Sequence, residues 1–252
     1  YDSGSYASST TYITGMATQN AALELRENIK KIGAQLLGCA ASEVDFDGKE
    51  VYIINPDGAD NREVCVSLSD IATKSQVNNT IPVDVTATYS SPVSPPPFMA
   101  GAAEVEIDKE TGHIELLQFA AAVDCGTPLN ENLARVQTEG GLAQGIGMAM
   151  YEDVTYSDHG RVHENSFMQY KVPSRLDIGK VQVEFECSYE PTGPFGAKSI
   201  GEIVINTPAP ALAHAIYRAT GVWHRTVPFT PEKILMGMLD PDWKETDHRV
   251  KD

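Results

Sequence analysis

Residues 193–202 read GPFGAKSIGE: three glycines, a lysine followed by a serine, and a carboxylate at the end. Three readings compete: a phosphate-binding loop, an ordinary turn, or a support that places one reactive acid. A phosphate loop needs glycine directly before the lysine and another five residues earlier, but Ala197 and Thr192 hold those positions. Pro208, the first residue suited to open a helix, also comes too late for a strand–loop–helix arrangement. The phosphate reading fails. In the third reading Gly201 lets the backbone approach a ligand closely or adopt a left-handed conformation, and Gly193 and Gly196 ease the approach to it. Glu202, between Ile200 and Ile203, is then expected to be desolvated, which moves a carboxyl from its reference of about 4.3 toward values useful to a general base. On composition alone, a surface glutamate closing a turn is the commoner outcome.

The rest of the chain supplies the frame. The 252 residues suffice for one large or two modest domains. The spacing of Ala21, Leu25, Ile29, Ile32 and Leu36 predicts a helix from about Thr14 to Leu37, stopped by Gly38. VDFDGKEVYIIN reads as two short strands around Asp47-Gly48, and VCVSLSDIATKS as a strand and a helical turn. Four prolines between Ser90 and Pro97 mark the best subdomain boundary, or an extended crossing segment. AEVEIDKETGHIELLQFAAAVD predicts a hairpin turning over Lys109 to Gly112, and a Gly-rich helix follows across Leu133 to Glu152. KVQVEFECSYEP alternates Val181, Val183, Phe185 and Cys187 against polar residues, a half-buried strand. A last helix runs from Pro208 to about Ala219, capped by Thr207 and stopped by Gly221. Hairpins and helices without regular βαβ alternation indicate α+β.

A net charge of −16, from 19 basic and 35 acidic side chains, argues against nucleic acid and anionic membranes as partners. The four cysteines lie at least 26 residues apart, which excludes a Cys-x-x-Cys cluster in this chain and suits a reducing, cytoplasmic setting. No apolar run has the length of a membrane span. The chain opens at Tyr1 without a secretory pattern and is expected to be part of something longer. His159 and His163 stand four apart, but Gly160 between them indicates a loop rather than a metal-binding helix face. Four glycines at 140, 141, 145 and 147 need a reason inside a helix, since each costs up to about 1 kcal/mol. Close packing is the commoner one and approach to a bulky cofactor the other. Gln137 and Gln144 share a helical face, and an amide offers donor and acceptor to a heterocycle edge. GSYASSTT before the first helix could hold phosphate or simply cap.

Together these segments resemble the molybdenum hydroxylases, the xanthine dehydrogenase and aldehyde oxidoreductase family. GAKSIGE resembles that family's glutamate motif, QTEGGLAQGIGMAMYED its Gln-x-Glu-Gly-Gly helix, and AEVEIDKETGHIELLQFAAAVDCGTPLN its hairpin and Asp-x-Gly strand end. ENSFMQYKVPSRLDI is similar to its Tyr-Lys-x-Pro segment, TPAPALAHAIYRATG with VPFTPEKIL to its closing helix and tail, and GSYASSTTYITGMA to its pterin-binding turn. The motifs run in the family's order over nearly the whole chain. The resemblance implies an α+β molybdenum-cofactor-binding domain of two mixed sheet-and-helix subdomains: residues 1–90 with the pterin-binding turn and long helix, and 91–252 with the Gly-rich helix and the glutamate loop. It implies a molybdenum–molybdopterin cofactor, usually the cytosine dinucleotide form in bacterial relatives, with no protein ligand to the metal. Glu202 falls on the catalytic base, the group whose proton removal creates the attacking nucleophile. Ala7, Ser8, Ser9, Thr10 and Gln137 fall on pterin contacts, and Lys198 and Ser199 on weaker ones through backbone groups. Iron–sulfur and flavin (FAD) centres, and the remaining half of the molybdenum subunit, are implied on partner subunits or domains, so these residues alone would be inactive. A purine-like N-heterocycle is the implied small-molecule substrate. The alternatives are an aldehyde oxidoreductase or a carbon monoxide-oxidising member of the same family, the latter disfavoured because Glu202 as a base fits hydroxylation directly, and a non-catalytic assembly or binding subunit that kept the fold. Many members carry Pro-Pro after the glutamate, where this chain has Ile203-Val204.

Overall fold

The structure is a computed structural model describing residues 4–78, 81–240, 243 and 250–251. The chain divides into two compact units, Thr11–Pro92 and Val93–Asp252 with Tyr1–Thr10. Each mixes helix and sheet, an α+β architecture.

In the unit Thr11–Pro92, a five-residue π turn, Thr10–Thr14, leads into α1 (Gly15–Leu37). Strands β1 (Val44–Phe46), β2 (Glu50–Ile54) and β3 (Asp60–Ser67) form an antiparallel sheet in that order, and α2 (Leu68–Asn78) follows. Its core is Ile29, Ile32, Ala34, Val44, Val51 and Ile71. The buried stripe of α1 departs from the expected one, because Gly33 replaces Leu36 at its end. A Cβ on Gly33 would lie 2.6 Å from Val51 Cγ1, so helix and sheet meet here backbone to side chain, and Leu36 turns outward. Gly38 ends the helix at φ 71°, its N–H donating to Ala34 O, as expected of a left-handed terminator. In the β1–β2 turn, backbone N–H groups of Glu50 and Lys49, and then Arg62, hold the Asp47 carboxyl down at about 2.

The other unit is built on β4 (Phe98–Ile107), β5 (Ile114–Asp124) and β6 (Lys180–Phe185), in the order β4–β5–β6. β4 and β5 are the expected hairpin, with a register shift at Glu104/Val105. β6 pairs parallel to β5, and α3 (Glu131–Met150) lies in the connection. Asn130 caps α3 by accepting from Leu133 N–H. Then come α4 (Pro208–Thr220) and α5 (Pro231–Leu239). Phe119, Leu142, Ile146, Leu212, Ile216 and Ile234 are buried between sheet and helices, each contributing roughly 1.5–3 kcal/mol. Two local expectations fail. Thr207 makes no side-chain cap on α4; its hydroxyl turns to Met99 Sδ, 3.7 Å away. Cys187 lies beyond the end of β6 and is exposed. Among the described residues no helix is long and apolar enough to cross a membrane.

Candidate functional site

The loop GPFGAKSIGE is pinned at its start. Gly126 and Ala197 form an antiparallel bridge, Thr127 N–H donates to Gly196 O at 2.8 Å, and Lys198 N–H donates to Cys125 O at 2.8 Å. Gly126, at φ 70°, admits this ladder. A Cβ there would overlap Gly196 O and stand 2.8 Å from Lys198 N. The Lys198 ammonium meets Asp124 Oδ2 at 2.8 Å, the two side chains only 9% and 17% exposed. Asp124 Oδ1 also accepts from Ser188 Oγ at 2.6 Å and Gly126 N–H at 2.9 Å. Burial pushes the Asp124 carboxyl up, but the bonds from Lys198, Ser188 and Gly126 and the lysine's charge outweigh it and hold it below the usual carboxylate range. Sequence reasoning placed Lys198 near a cofactor and missed Asp124 and Ser188, which are far apart in the chain. The only local sign of Asp124 is its place in the Asp-x-Gly strand end.

Further along, Gly201 shows which of its two expected uses applies. Its φ is not positive; a Cβ there would instead lie 2.7 Å from Ser8 Oγ and 3.0 Å from Ser8 Cβ. The glycine lets two segments touch. Across this contact Ser8 Oγ donates to Glu202 Oε2 at 3.1 Å, and Gln137 Nε2 donates to Gly201 O at 3.2 Å. Ser8, Gln137 and Glu202 are thus brought together. Ala7 and Ser8 are both left-handed, φ 48° and 56°, and Ser9 N–H closes the turn on Tyr6 O at 3.1 Å. From the sequence this turn falls in residues 1–90; in the structure residues 1–10 group with 93–252, as the Ser8–Glu202 bond requires. Thr10 starts the π turn, and Ser199 lies between the pinned Lys198 and Ile200. The expected desolvation of Glu202 is not met. Its side chain is exposed, although Ile200 packs on the core and Val204 is 1% exposed. Glu202 has helical backbone angles and is the N-cap of the 3-10 turn Ile203–Ile205, so the turn and not a strand period sets its direction.

On α3 the glycines divide. Gly141 would overlap Val204 Cγ2 with a Cβ, and Gly145 would come within 2.6 Å of Pro208 Cγ. These two serve close packing, the commoner expectation. Gly147 abuts Glu152 and Pro173. A Cβ on Gly140 would meet nothing within 4 Å; this residue lies between Gln137 and Gln144 on an exposed stripe. The Ile203-Val204 departure from Pro-Pro forms a 3-10 turn, Ile203–Ile205, seated on Gly141. His163 Nδ1 pairs with Thr155 Oγ1 at 3.0 Å, whereas His159 is exposed. Among the described residues no group of three or more His, Cys, Asp or Glu is placed to hold a metal ion.

A Ser-rich turn, a Gly-rich helix and a Gly-Glu loop thus converge in one α+β unit. A family model described as molybdopterin cofactor-binding domain matches residues 1–179, and the chain belongs to that family, the molybdopterin-binding part of the molybdenum hydroxylases. It is 38% identical to "Probable hypoxanthine oxidase XdhD" of Escherichia coli (strain K12), covering 94% of this chain and 24% of that protein. The crystal structure of the Cu,Mo-CO dehydrogenase in its carbon monoxide reduced state aligns with a TM-score of 0.80 and 25% identity, over 95% of this chain and 30% of that one. Quinoline 2-oxidoreductase from Pseudomonas putida 86 aligns with a TM-score of 0.77 and 26% identity, over 93% and 30%. The chain therefore spans less than a third of each of these proteins.

Proposed function

We propose that this chain is the C-terminal, cofactor-binding part of a cytoplasmic molybdenum hydroxylase acting on a purine-like N-heterocycle, with Glu202 as general base. The observation that carries this reading is the meeting of Ser8, Gln137 and Glu202 at Gly201. The donors present suit a pterin with a phosphate tail. They are the neutral hydroxyls of Ser8, Ser9 and Thr10 around the left-handed Ala7–Ser8 turn, the Gln137 amide, and the backbone at Ser199. When bound, the cofactor supplies the two-electron acceptor for hydroxylation. The chain's own residues then divide the work. Ser8 Oγ occupies Glu202 Oε2, so Oε1 is the oxygen left to take a proton from the attacking nucleophile. Gln137 fixes the Gly201 carbonyl and so the peptide from which Glu202 projects. Glu202 is exposed in this chain, so excluding water falls to substrate, cofactor and the remaining half of the subunit. The purine assignment is supported by the relative named for hypoxanthine, and quinoline in a structural neighbour's name is a second N-heterocycle. Electrons leave through iron–sulfur and flavin partners.

Glu202→Gln in the full-length, cofactor-loaded enzyme tests the reading. Glutamine is nearly isosteric but cannot take the proton at neutral pH. Turnover should fall at least about a hundred- to ten-thousand-fold with molybdenum content unchanged. Near-normal turnover at full loading would make Glu202 a turn residue, and loss of the cofactor would make it structural.

A further inference from the structure

We infer that the buried Asp124–Lys198 pair is a positioning element that sets where Glu202 stands; this rests on the reading of Glu202 as the base. The pair joins three chain segments at one carboxylate: Lys198 from the glutamate loop, Ser188 from the segment after β6, and the Gly126 N–H just past β5. Between Lys198 and Glu202 there are only Ser199, Ile200 and Gly201. Downstream, Val204 is locked against Gly141. The segment bearing Glu202 is thus strung between an ionic anchor and a packed one.

Stability alone does not account for a buried ion pair, because apolar residues of the same volume often do as well. A charge pair adds register. The ladder between 125–127 and 196–198 is short and made of backbone bonds, and such a pairing slips easily when nothing else specifies it. A slip of one residue would pull the two half-buried charges apart, which is disfavoured. Lys198 thereby selects one alignment of its loop and one height for Glu202. Its ammonium also lies 5.4 Å from the Phe98 ring centroid at the start of β4. With the side chain on Asp124 and the N–H on Cys125 O, the lysine serves the loop rather than a ligand.

The test uses the full-length, cofactor-loaded enzyme with Lys198→Met, Asp124→Asn, Lys198→Arg, Glu202→Gln and the Lys198→Met/Glu202→Gln double variant. Lys198→Met and Asp124→Asn should each lower kcat per molybdenum by about ten- to a hundredfold, the scale of an ångström-sized misplacement. KM should move far less, molybdenum content should hold, and amide hydrogen exchange across residues 199–205 should quicken. Lys198→Arg, which keeps charge and donors, should recover most of kcat. The double variant should be no slower than Glu202→Gln, because both act through one group. If Glu202→Gln is inactive while Lys198→Met and Asp124→Asn keep normal kcat and exchange, the positioning role falls and the base assignment stands. If Glu202→Gln is itself near normal, both fall. Loss of molybdenum with unchanged turnover per molybdenum, or an arginine variant as slow as the methionine one, also overturns the inference. If Lys198→Met does not fold, the nearly isosteric Asp124→Asn carries the same comparison.

Discussion

Ser8 and Glu202, 194 residues apart in the chain, share a 3.1 Å hydrogen bond, and the missing side chain of Gly201 makes room for it. An alanine at 201 would put a carbon 2.7 Å from Ser8 Oγ and 3.0 Å from Ser8 Cβ. Ser8 has little freedom to yield, since its backbone is already left-handed. Gly201→Ala should therefore break the Ser8–Glu202 bond and displace the loop. Turnover per molybdenum is expected to fall by about ten- to a hundredfold, measured beside molybdenum content. Adding Ser8→Gly, which removes both Oγ and Cβ, should relieve the clash and restore loop order without restoring the bond. Wild-type turnover in Gly201→Ala would show that this contact is not needed.

Adjacent glycines on α3 should respond in opposite directions. At Gly140 a Cβ meets nothing within 4 Å, so Gly140→Ala should gain helix propensity and stabilise the protein by about 0.5–1 kcal/mol. At Gly141 a Cβ overlaps Val204 Cγ2 and stands 2.8 Å from Val204 Cβ. Gly141→Ala should cost about 1–3 kcal/mol as an overpacked core position. Denaturant midpoints for the two variants decide the matter, and the same sign in both would contradict this account.

This pair also shows how far the sequence could be read. That four glycines in a helix need a reason is visible in the sequence; which ones pack is not, because Val204 and Pro208 arrive from a segment about sixty residues away. Helices and the hairpin are legible from period and turn residues, which are local signals. Leu36 and Gly33 exchange roles because the partner, Val51, sits on a strand whose approach no periodicity reveals. At the site, Gln137, Ser8 and Glu202 are legible through motif order, and the structure brings them together. The exposure of Glu202 is not, since two flanking isoleucines suggest burial while the 3-10 turn that begins at Glu202 leaves its side chain in solvent. Asp124 and Lys198 are 74 residues apart, and their pairing is purely tertiary.

The Asp124 carboxyl is held below the usual carboxylate range when folded, which fixes a sign. Its folded value lies below the unfolded one, roughly 3.9, so its contribution is complete above that pH and is lost as pH falls through the folded value. Other acidic groups, among them Asp45, Asp177 and Glu190, are lowered too, so the wild type alone cannot isolate it. The difference between wild type and Asp124→Asn can. At neutral pH the variant should be less stable, toward the low end of the about 3–5 kcal/mol typical of a broken buried pair. That gap should close on acidification through the folded value of Asp124. A gap that does not change with acidification would mean that Asp124 acts as a neutral hydrogen-bonding group.

Phe195 holds an unusual backbone for its residue type, φ 53° and ψ 24°, with its ring 64% exposed. A non-glycine residue there carries about 1–2 kcal/mol of local strain, and so exposed a ring recovers little of it by burial. Alanine and glycine at 195 both remove the aromatic, but only glycine removes the Cβ that causes the strain. At ordinary positions glycine is the worse of the two by about 0.5–1 kcal/mol, through the freedom it adds to the unfolded chain. At 195 the order should invert, with Phe195→Gly more stable than Phe195→Ala by up to about 1 kcal/mol, or roughly 2–4 °C in melting temperature for a protein of this size. The cost of the native residue is then a measurable property of the loop that carries Glu202. Calorimetry of the two variants checks it directly. An alanine variant as stable as the glycine one would show that the loop relaxes at Phe195 and that the left-handed conformation is not imposed by its neighbours.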